Sequence, residues 1–226
     1  MATLYVVATP IGNLEDITYR AVATLRSVDL ILAEDTRHTR KLLNHYEVRK
    51  PLISCRSQNE HEVAARLLTE LDGGSNAAYV TDAGTPGVSD PGATLVRSVR
   101  EAGYHVSPVP GPSALTAIMS VSGMGMAAAG FAGFLSPKAG RRRKRLRQLL
   151  EWGVPFVLYE SPHRIVKLLT DLADMEPERR IVLAREMTKI HEEFVLGTVR
   201  EVLEKVETEV RHQGEFAVLV GGPEIV

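Results

Sequence analysis

Short apolar runs alternate along the chain with stretches in which apolar residues recur every three or four positions, the signatures of buried strands and one-sided helices. LYVVAT (Leu4 to Thr9) and DLILAE (Asp29 to Glu34) read as strands of a parallel sheet, with a helix over Thr18 to Ser27 between them. AAYVTDA and HVSPV continue the series, separated by helices at about Glu60 to Leu71 and Pro91 to Ala102. A second series follows in VPFVLYE, RRIVLARE, EEFVLG and EFAVLVGG, with helices near Gly140 to Glu151, Pro162 to Asp174 and Val199 to Arg211. The pattern predicts an α/β fold of two domains, residues 1–115 and 116–226, with a ligand cleft where the two meet.

Between the two series, Val106 to Pro137 carries no charged residue, a length that raises the possibility of a membrane span. Pro108, Pro110 and Pro112, with glycines through Gly133, break it. A helix of about ten residues followed by a buried linker is expected instead, with no membrane partner.

Composition narrows the picture. The 226 residues are 44% hydrophobic, enough for one large core or two small ones. Charges nearly cancel, 27 Lys and Arg against 28 Asp and Glu, so only local patches can select a charged partner. A single cysteine, Cys55, excludes an internal disulfide and a Cys-rich metal site, and the seven histidines show no H-E-x-x-H spacing, so no metal is expected. The first residues lack the basic-then-apolar run of a secretory leader, and a cytoplasmic location is expected.

The densest turn signal is YVTDAGTPGVSDPG, Tyr79 to Gly92. A strand ending at Thr81 or Asp82 delivers this loop to the carboxyl edge of a parallel sheet, where open α/β folds place ligands. Gly84 and Gly87 allow close backbone approach, Pro86 fixes the turn, and Asp90-Pro91 reads as an N-cap and first helical residue. ATPIGN (Ala8 to Asn13) and VPGPSA (Val109 to Ala114) are two further crossings of the same kind. Neither G-x-G-x-x-G nor G-x-x-x-x-G-K-[ST] occurs, which disfavours ordinary nucleotide-phosphate binding.

The strongest local charge follows Lys138, where Arg141 to Arg147 sets six basic residues in seven positions. The run reads as a mobile loop entering a helix with a basic face. Its functional meaning is contact with RNA phosphates, and its plain meaning is a solvated helix face.

Taken together, VATPIGNLEDIT, AEDTRHTRKLL, TDAGTPGVSDPG, VPGPSA, GFLSPK, YESPHR and AREMTKIHEEF resemble the tetrapyrrole methylase superfamily, and within it the bacterial 16S ribosomal RNA cytidine 2′-O-methyltransferase branch. The resemblance spans Leu4 to about Gly222. It departs from porphyrin-modifying relatives in the first loop, where Thr9-Pro10-Ile11-Gly12 stands in place of Gly-Pro-Gly. It implies S-adenosylmethionine lying between two α/β domains, with Pro10, Ile11, Gly84, Pro86, Gly87, Val88, Ser113 and Ala114 lining it from the first. Tyr159, Ala184 and Phe216 would line it from the second. Partners would be ribosomal RNA or the small ribosomal subunit, and the protein a homodimer.

Methyl transfer to a ribose hydroxyl needs alignment and removal of a weakly acidic proton. Asp35 or Glu160 is expected to act as base or orienter, with Lys189 beside them. Arg37, Arg164, Arg185 and Lys189 would hold flanking phosphates together with Lys138, Arg141, Arg142 and Arg143. Each also suits a structural part: Glu34 or Asp35 could cap the helix starting near Thr36, and Glu160 another helix start. Two other readings stay open, a small-molecule tetrapyrrole-type methylase and a non-enzymatic RNA-binding module.

Overall fold

A computed structural model of the protein describes residues 2–223, which divide into two compact units, Met1–Ser113 and Ala114–Val226. In the first, strands β1 (Thr3–Val7), β2 (Leu30–Ala33), β3 (Leu52–Ser54), β4 (Ala77–Val80) and β5 (His105–Val109) form one sheet in the order β3-β2-β4-β1-β5. All its pairings are parallel. Helices α1 (Tyr19–Ser27), α2 (Thr36–His45), α3 (Glu60–Asp72) and α4 (Ala93–Glu101) make the crossovers. Burial on both faces explains the unbroken apolar runs. Leu30, Leu32 and Tyr79 face a core with Leu67, Leu71 and Leu95, while Ile31, Ala33 and Val80 face another with Leu25 and Leu43.

The strand order carries a consequence for ligands. From β1 and β2 the chain moves toward the β3 edge, whereas from β3 and β4 it moves toward the β5 edge. Connections from the neighbouring strands β2 and β4 therefore diverge at their carboxyl ends, the place where open parallel sheets leave a crevice.

The second unit holds α5 (Ala114–Val121), β6 (Gly130–Phe134), α6 (Ala139–Leu150), β7 (Phe156–Glu160), α7 (Ile165–Ala173), β8 (Arg180–Arg185), β9 (Glu193–Thr198), α8 (Val199–Thr208) and β10 (Phe216–Val220). Its sheet runs β6-β7-β10-β8-β9, parallel between β6 and β7 and antiparallel elsewhere. Leu146 and Leu149 of α6, Leu168 and Leu172 of α7, and Val202 and Val206 of α8 share one core with Leu158, Leu183 and Val218. A capping box opens α8: Thr198 Oγ1 accepts from Glu201 N at 3.2 Å, and Thr198 N donates to Glu201 Oε2 at 2.8 Å.

Several sequence expectations shift. Residues 122–129 are mostly exposed, so the buried linker is not observed. They lead into β6, whose two glycines and register shift between Phe131 and Gly133 hide it from pattern reading. The helix expected at Pro91 begins at Ala93 with Gly92 as N-cap rather than Asp90. Its Leu95 amide donates at 2.8 Å to Glu60, a buried carboxylate supplied by α3. Gly92 has φ +127°, and a Cβ there would lie 2.5 Å from Cε1 of Tyr79, so both its backbone and the ring beneath it call for glycine.

Candidate active site

At the carboxyl edge of the first sheet, the loops leaving β1, β4 and β5 are tied together largely through the main chain. Thr9 N donates to Gly84 O at 2.9 Å, and Gly84 N to Thr9 O at 3.0 Å. Thr9 Oγ1 donates to the Thr81 carbonyl at 3.1 Å, and Thr85 Oγ1 to the Pro112 carbonyl at 3.3 Å. Gly84 has φ +75°, and a Cβ there would meet Cγ2 of Ile11 at 3.4 Å. Ile11, Gly84 and Pro112 are thus neighbours, with Pro10, Val88 and Ser113 half-buried, Pro86 buried and Gly87 exposed nearby along the same loops. Apolar side chains beside peptide groups suit an adenine and a methionine chain, and the residues fit S-adenosylmethionine.

Acids gather where β2 and β4 end. Asp82 Oδ1 accepts the Asp35 amide at 3.1 Å, fastening one loop to the other. Asp35 itself caps α2: its Oδ1 accepts the amides of Arg37 at 2.8 Å and His38 at 3.4 Å, and its Oδ2 faces Arg37 Nη2 at 3.4 Å. The Arg37 amide and guanidinium hold its carboxyl below the usual range, against a smaller opposing effect of burial. Burial and the Asp82 carboxylate push Glu34 the other way, opposed by the Asp82 amide and Arg56. Burial, with Glu34 adding to it, raises Asp90 to about 6. In sequence Glu34 and Asp82 stand only as charged residues at strand ends and Asp90 as a helix cap, without a role in the expected site, because the β2–β4 adjacency is what relates them.

In the second unit the pairing register sorts the expected residues onto two faces. Tyr159 pairs with Ala217 and Ala217 with Ala184, so Tyr159 and Ala184 share a face. Tyr159 is half-buried, its ring 5.1 Å from that of Phe131 and 5.8 Å from that of Phe134. Phe216 pairs with Glu160 and Arg185 and faces the helix-covered core at 3% exposure, so its side chain does not join Tyr159 and Ala184.

Glu160 and Arg185 are buried as well, and their charges are satisfied largely by this unit. Glu160 Oε1 accepts the Ser161 amide at 2.8 Å and lies 2.6 Å from Arg164 Nη2. Arg164 also donates to Ser161 Oγ and to the Leu135 carbonyl, both at 3.2 Å, which clasps the loop after β6 to the loop after β7. Arg185 donates to the Gln213 carbonyl at 2.9 Å and pairs with Glu193 at 3.4 Å. Lys189 Nζ sits 2.8 Å from Glu186 and 2.9 Å from Glu215. Burial works against its charge, but these carboxylates more than offset it and hold the ammonium above its usual range. Glu186 and Thr188 in this loop have φ of +50° and +66°, uncommon for residues with a Cβ.

The basic run is helical from its start rather than a loop entering a helix, since α6 begins at Ala139. Arg142 lies on the stripe of Leu146 and Leu149 and is buried, with Nε 2.7 Å from Asp171 Oδ2. Arg143 is partly withdrawn too, bound to Asp171 at 2.9 Å and Asp174 at 2.7 Å. Lys138, Arg141, Lys144, Arg145 and Arg147 remain exposed, Arg145 lying over the Trp152 ring at 5.2 Å. In the first unit α2 exposes Arg37, Arg40 and Lys41, the Arg37 side chain at 86%. Among the described residues, no group of three or more His, Cys, Asp or Glu is arranged to hold a metal ion, and no helix is long and apolar enough to cross a membrane.

Comparison with known proteins places this geometry. The sequence pattern of the family described as Tetrapyrrole (Corrin/Porphyrin) Methylases matches residues 3–203. The chain is 51% identical over 200 residues to a Neisseria meningitidis protein named Ribosomal RNA small subunit methyltransferase I, a match covering 88% of this chain and 69% of that protein. A Thermotoga maritima protein of the same name is 45% identical over 99% of this chain and 100% of its own length. Among solved structures, uroporphyrin III C-methyl transferase from Thermus thermophilus shares the fold at a TM-score of 0.67 and 20% identity, covering 96% of this chain and 97% of that one.

Proposed function

The chain belongs to the tetrapyrrole (corrin/porphyrin) methylases, and from that premise we propose that it is an S-adenosylmethionine-dependent methyltransferase. Its substrate is the ribose 2′-hydroxyl of a cytidine in the 16S RNA of the small ribosomal subunit. The observation that carries this reading is the main-chain cradle around the Thr9–Gly84 pair, in a chain whose relatives are named for small-subunit RNA methylation. A cytoplasmic location accords with that substrate.

S-adenosylmethionine supplies a methyl group on a positively charged sulfur, already a good leaving group. What the protein adds is alignment and a place for one proton. In the first unit Pro10, Ile11, Gly84, Pro86, Gly87, Val88 and Ser113 are assigned to the donor's wall. Asp35 and Glu160 act as orienters, Asp35 by capping α2 and Glu160 by fixing Arg164. The exposed cations of α6 bind phosphates, with Lys138 ahead of them and Arg37 on α2. Arg142 is excluded from that role by its burial against Asp171. A homodimer is also proposed, supported by Val121 and Phe134, each more than half exposed.

A tritiated-methyl assay offering small subunits, naked RNA and a porphyrinogen in parallel tests the reading. Label is expected in RNA at a ribose. Label in the porphyrinogen alone, or none at all, overturns it. Light scattering tests the dimer, which a mass equal to one chain rules out.

A further inference from the structure

The acids at the ends of β2 and β4 do not behave alike, and the difference bears on which group receives the proton in methyl transfer. Resting on the methyltransferase reading, we propose that Glu34 is the proton acceptor for the hydroxyl that takes the methyl group, with Asp82 and Asp90 as positioning residues around its carboxylate. Transfer forms the O–CH3 bond and breaks the S–CH3 bond, leaving a neutral thioether. The hydroxyl proton passes to Glu34 and from there to solvent.

Topology and elimination carry the assignment. Glu34 follows the last residue of β2, where β2 and β4 send their connections in opposite directions and the sheet leaves a crevice. Its main chain is fixed on both sides: the amide donates to the Val80 carbonyl at 3.3 Å and the carbonyl accepts from Arg56 Nε at 3.2 Å. The residue as a whole is half-exposed. Asp35 next to it is occupied as a helix cap and faces Arg37, which makes it a weak base. Glu160 has no exposed side-chain surface and is paired with Arg164, and Lys189 is held as a cation by two carboxylates.

The surroundings favour proton uptake at Glu34. The charges that act on it are Asp82 from the loop after β4, Asp35 beside it and Arg56 from the loop after β3, and Glu34 in turn acts on Asp90 of the β4 loop and on the Tyr79 hydroxyl of β4. Three carboxylates against one guanidinium make a negative setting in which an added proton is welcome. The Tyr79 hydroxyl beneath is wholly buried without a hydrogen-bond partner, and burial, chiefly, with nearby acids keeps it un-ionised. It adds no negative charge to the cluster.

Glu34→Gln, Glu34→Asp, Asp90→Asn and His38→Gln are compared with the wild type for kcat, KM for small-subunit RNA, S-adenosylmethionine affinity, melting temperature and pH–rate profile. Glu34→Gln should lower kcat about a hundredfold or more and abolish the acidic limb of the profile. Both binding constants should stay within about twofold. Glu34→Asp should recover part of the rate, and Asp90→Asn should keep most of it, whereas a loss in Asp90→Asn as large as that in Glu34→Gln would hand the proton to Asp90 and overturn the assignment. A purely structural Glu34 would leave the position of that limb unmoved. Near-normal turnover in Glu34→Gln, or an acidic limb that persists there and vanishes in His38→Gln, overturns the assignment while wild-type methylation of RNA leaves the function standing. A wild type that methylates no RNA overturns both.

Discussion

Each unit holds a five-stranded sheet, all parallel in the first and mostly antiparallel in the second, and the loops at the two sheet edges are tied by different means. Around the ligand loops of the first, the joints are peptide groups and hydroxyls: Thr9 with Gly84, Thr9 Oγ1 with Thr81, Thr85 Oγ1 with Pro112. In the second, the corresponding loops are held by ion pairs, Glu160 with Arg164, Arg185 with Glu193, and Lys189 with Glu186 and Glu215. Charged residues that look equally catalytic in sequence therefore divide. In the second unit most already have an internal partner, and in the first Glu34 and Asp90 are crowded by like charge. A charged residue at a strand end informs on chemistry only once its own partners have been counted.

The sharpest way to break this contrast is Asp171→Ala. It strands the Arg142 guanidinium, and losing one member of a buried pair costs about 3–5 kcal/mol. Urea unfolding should show it, and a loss below about 1 kcal/mol would mean that the pair is not the anchor of α6. Gly92→Ala comes next, in the unit built on backbone. A Cβ 2.5 Å from the Tyr79 ring, at φ +127°, should cost about 2 kcal/mol, read in the same experiment.

Asp90→Asn should act with the opposite sign. Its folded-state pKa is raised from 3.8 to about 6, so the folded protein retains a proton that the unfolded chain releases across that window. Stability contributed by this residue is intact below pH 3.8 and falls as pH rises toward about 6. The asparagine variant should therefore gain stability above that window, by about 1 kcal/mol after allowance for solvent around a half-buried group. The gain should fade in acid. Melting curves at pH 8 and pH 4 decide it, and a gain of equal size at both would break the link to titration.

The smallest stability effect is expected at Lys144→Ala or Arg147→Ala, within about 0.5 kcal/mol of the wild type, because both are exposed on α6. Each should still weaken RNA binding and lower the slope of log affinity against log salt by about one or less. An unchanged slope would remove α6 from the RNA surface.

The strands were legible wherever an apolar run was unbroken, as in LILA and FAVLV, because burial on both faces leaves no polar position to obscure them. The three-residue β3 and the glycine-containing β6 were not, since neither is long enough or regular enough for a period to register. Arg142 could have been recognised as buried from its spacing to Leu146 and Leu149 alone. That Phe216 faces away from Tyr159 and Ala184 could not, because it depends on the β7-β10-β8 register. Asp82 and Asp90 share one loop but Glu34 stands some distance back along the chain, and only a strand order that no local pattern encodes brings it beside them.

The Thr9–Gly84 bridge has one more implication. A joint made of two amides and two carbonyls asks little of the side chains around it, so drift in the flanking loop residues can retune what is recognised without undoing the frame that does the recognising. Two exchanges are barred: proline in either half, which deletes an amide hydrogen, and any side chain at Gly84, whose φ of +75° only glycine adopts without strain.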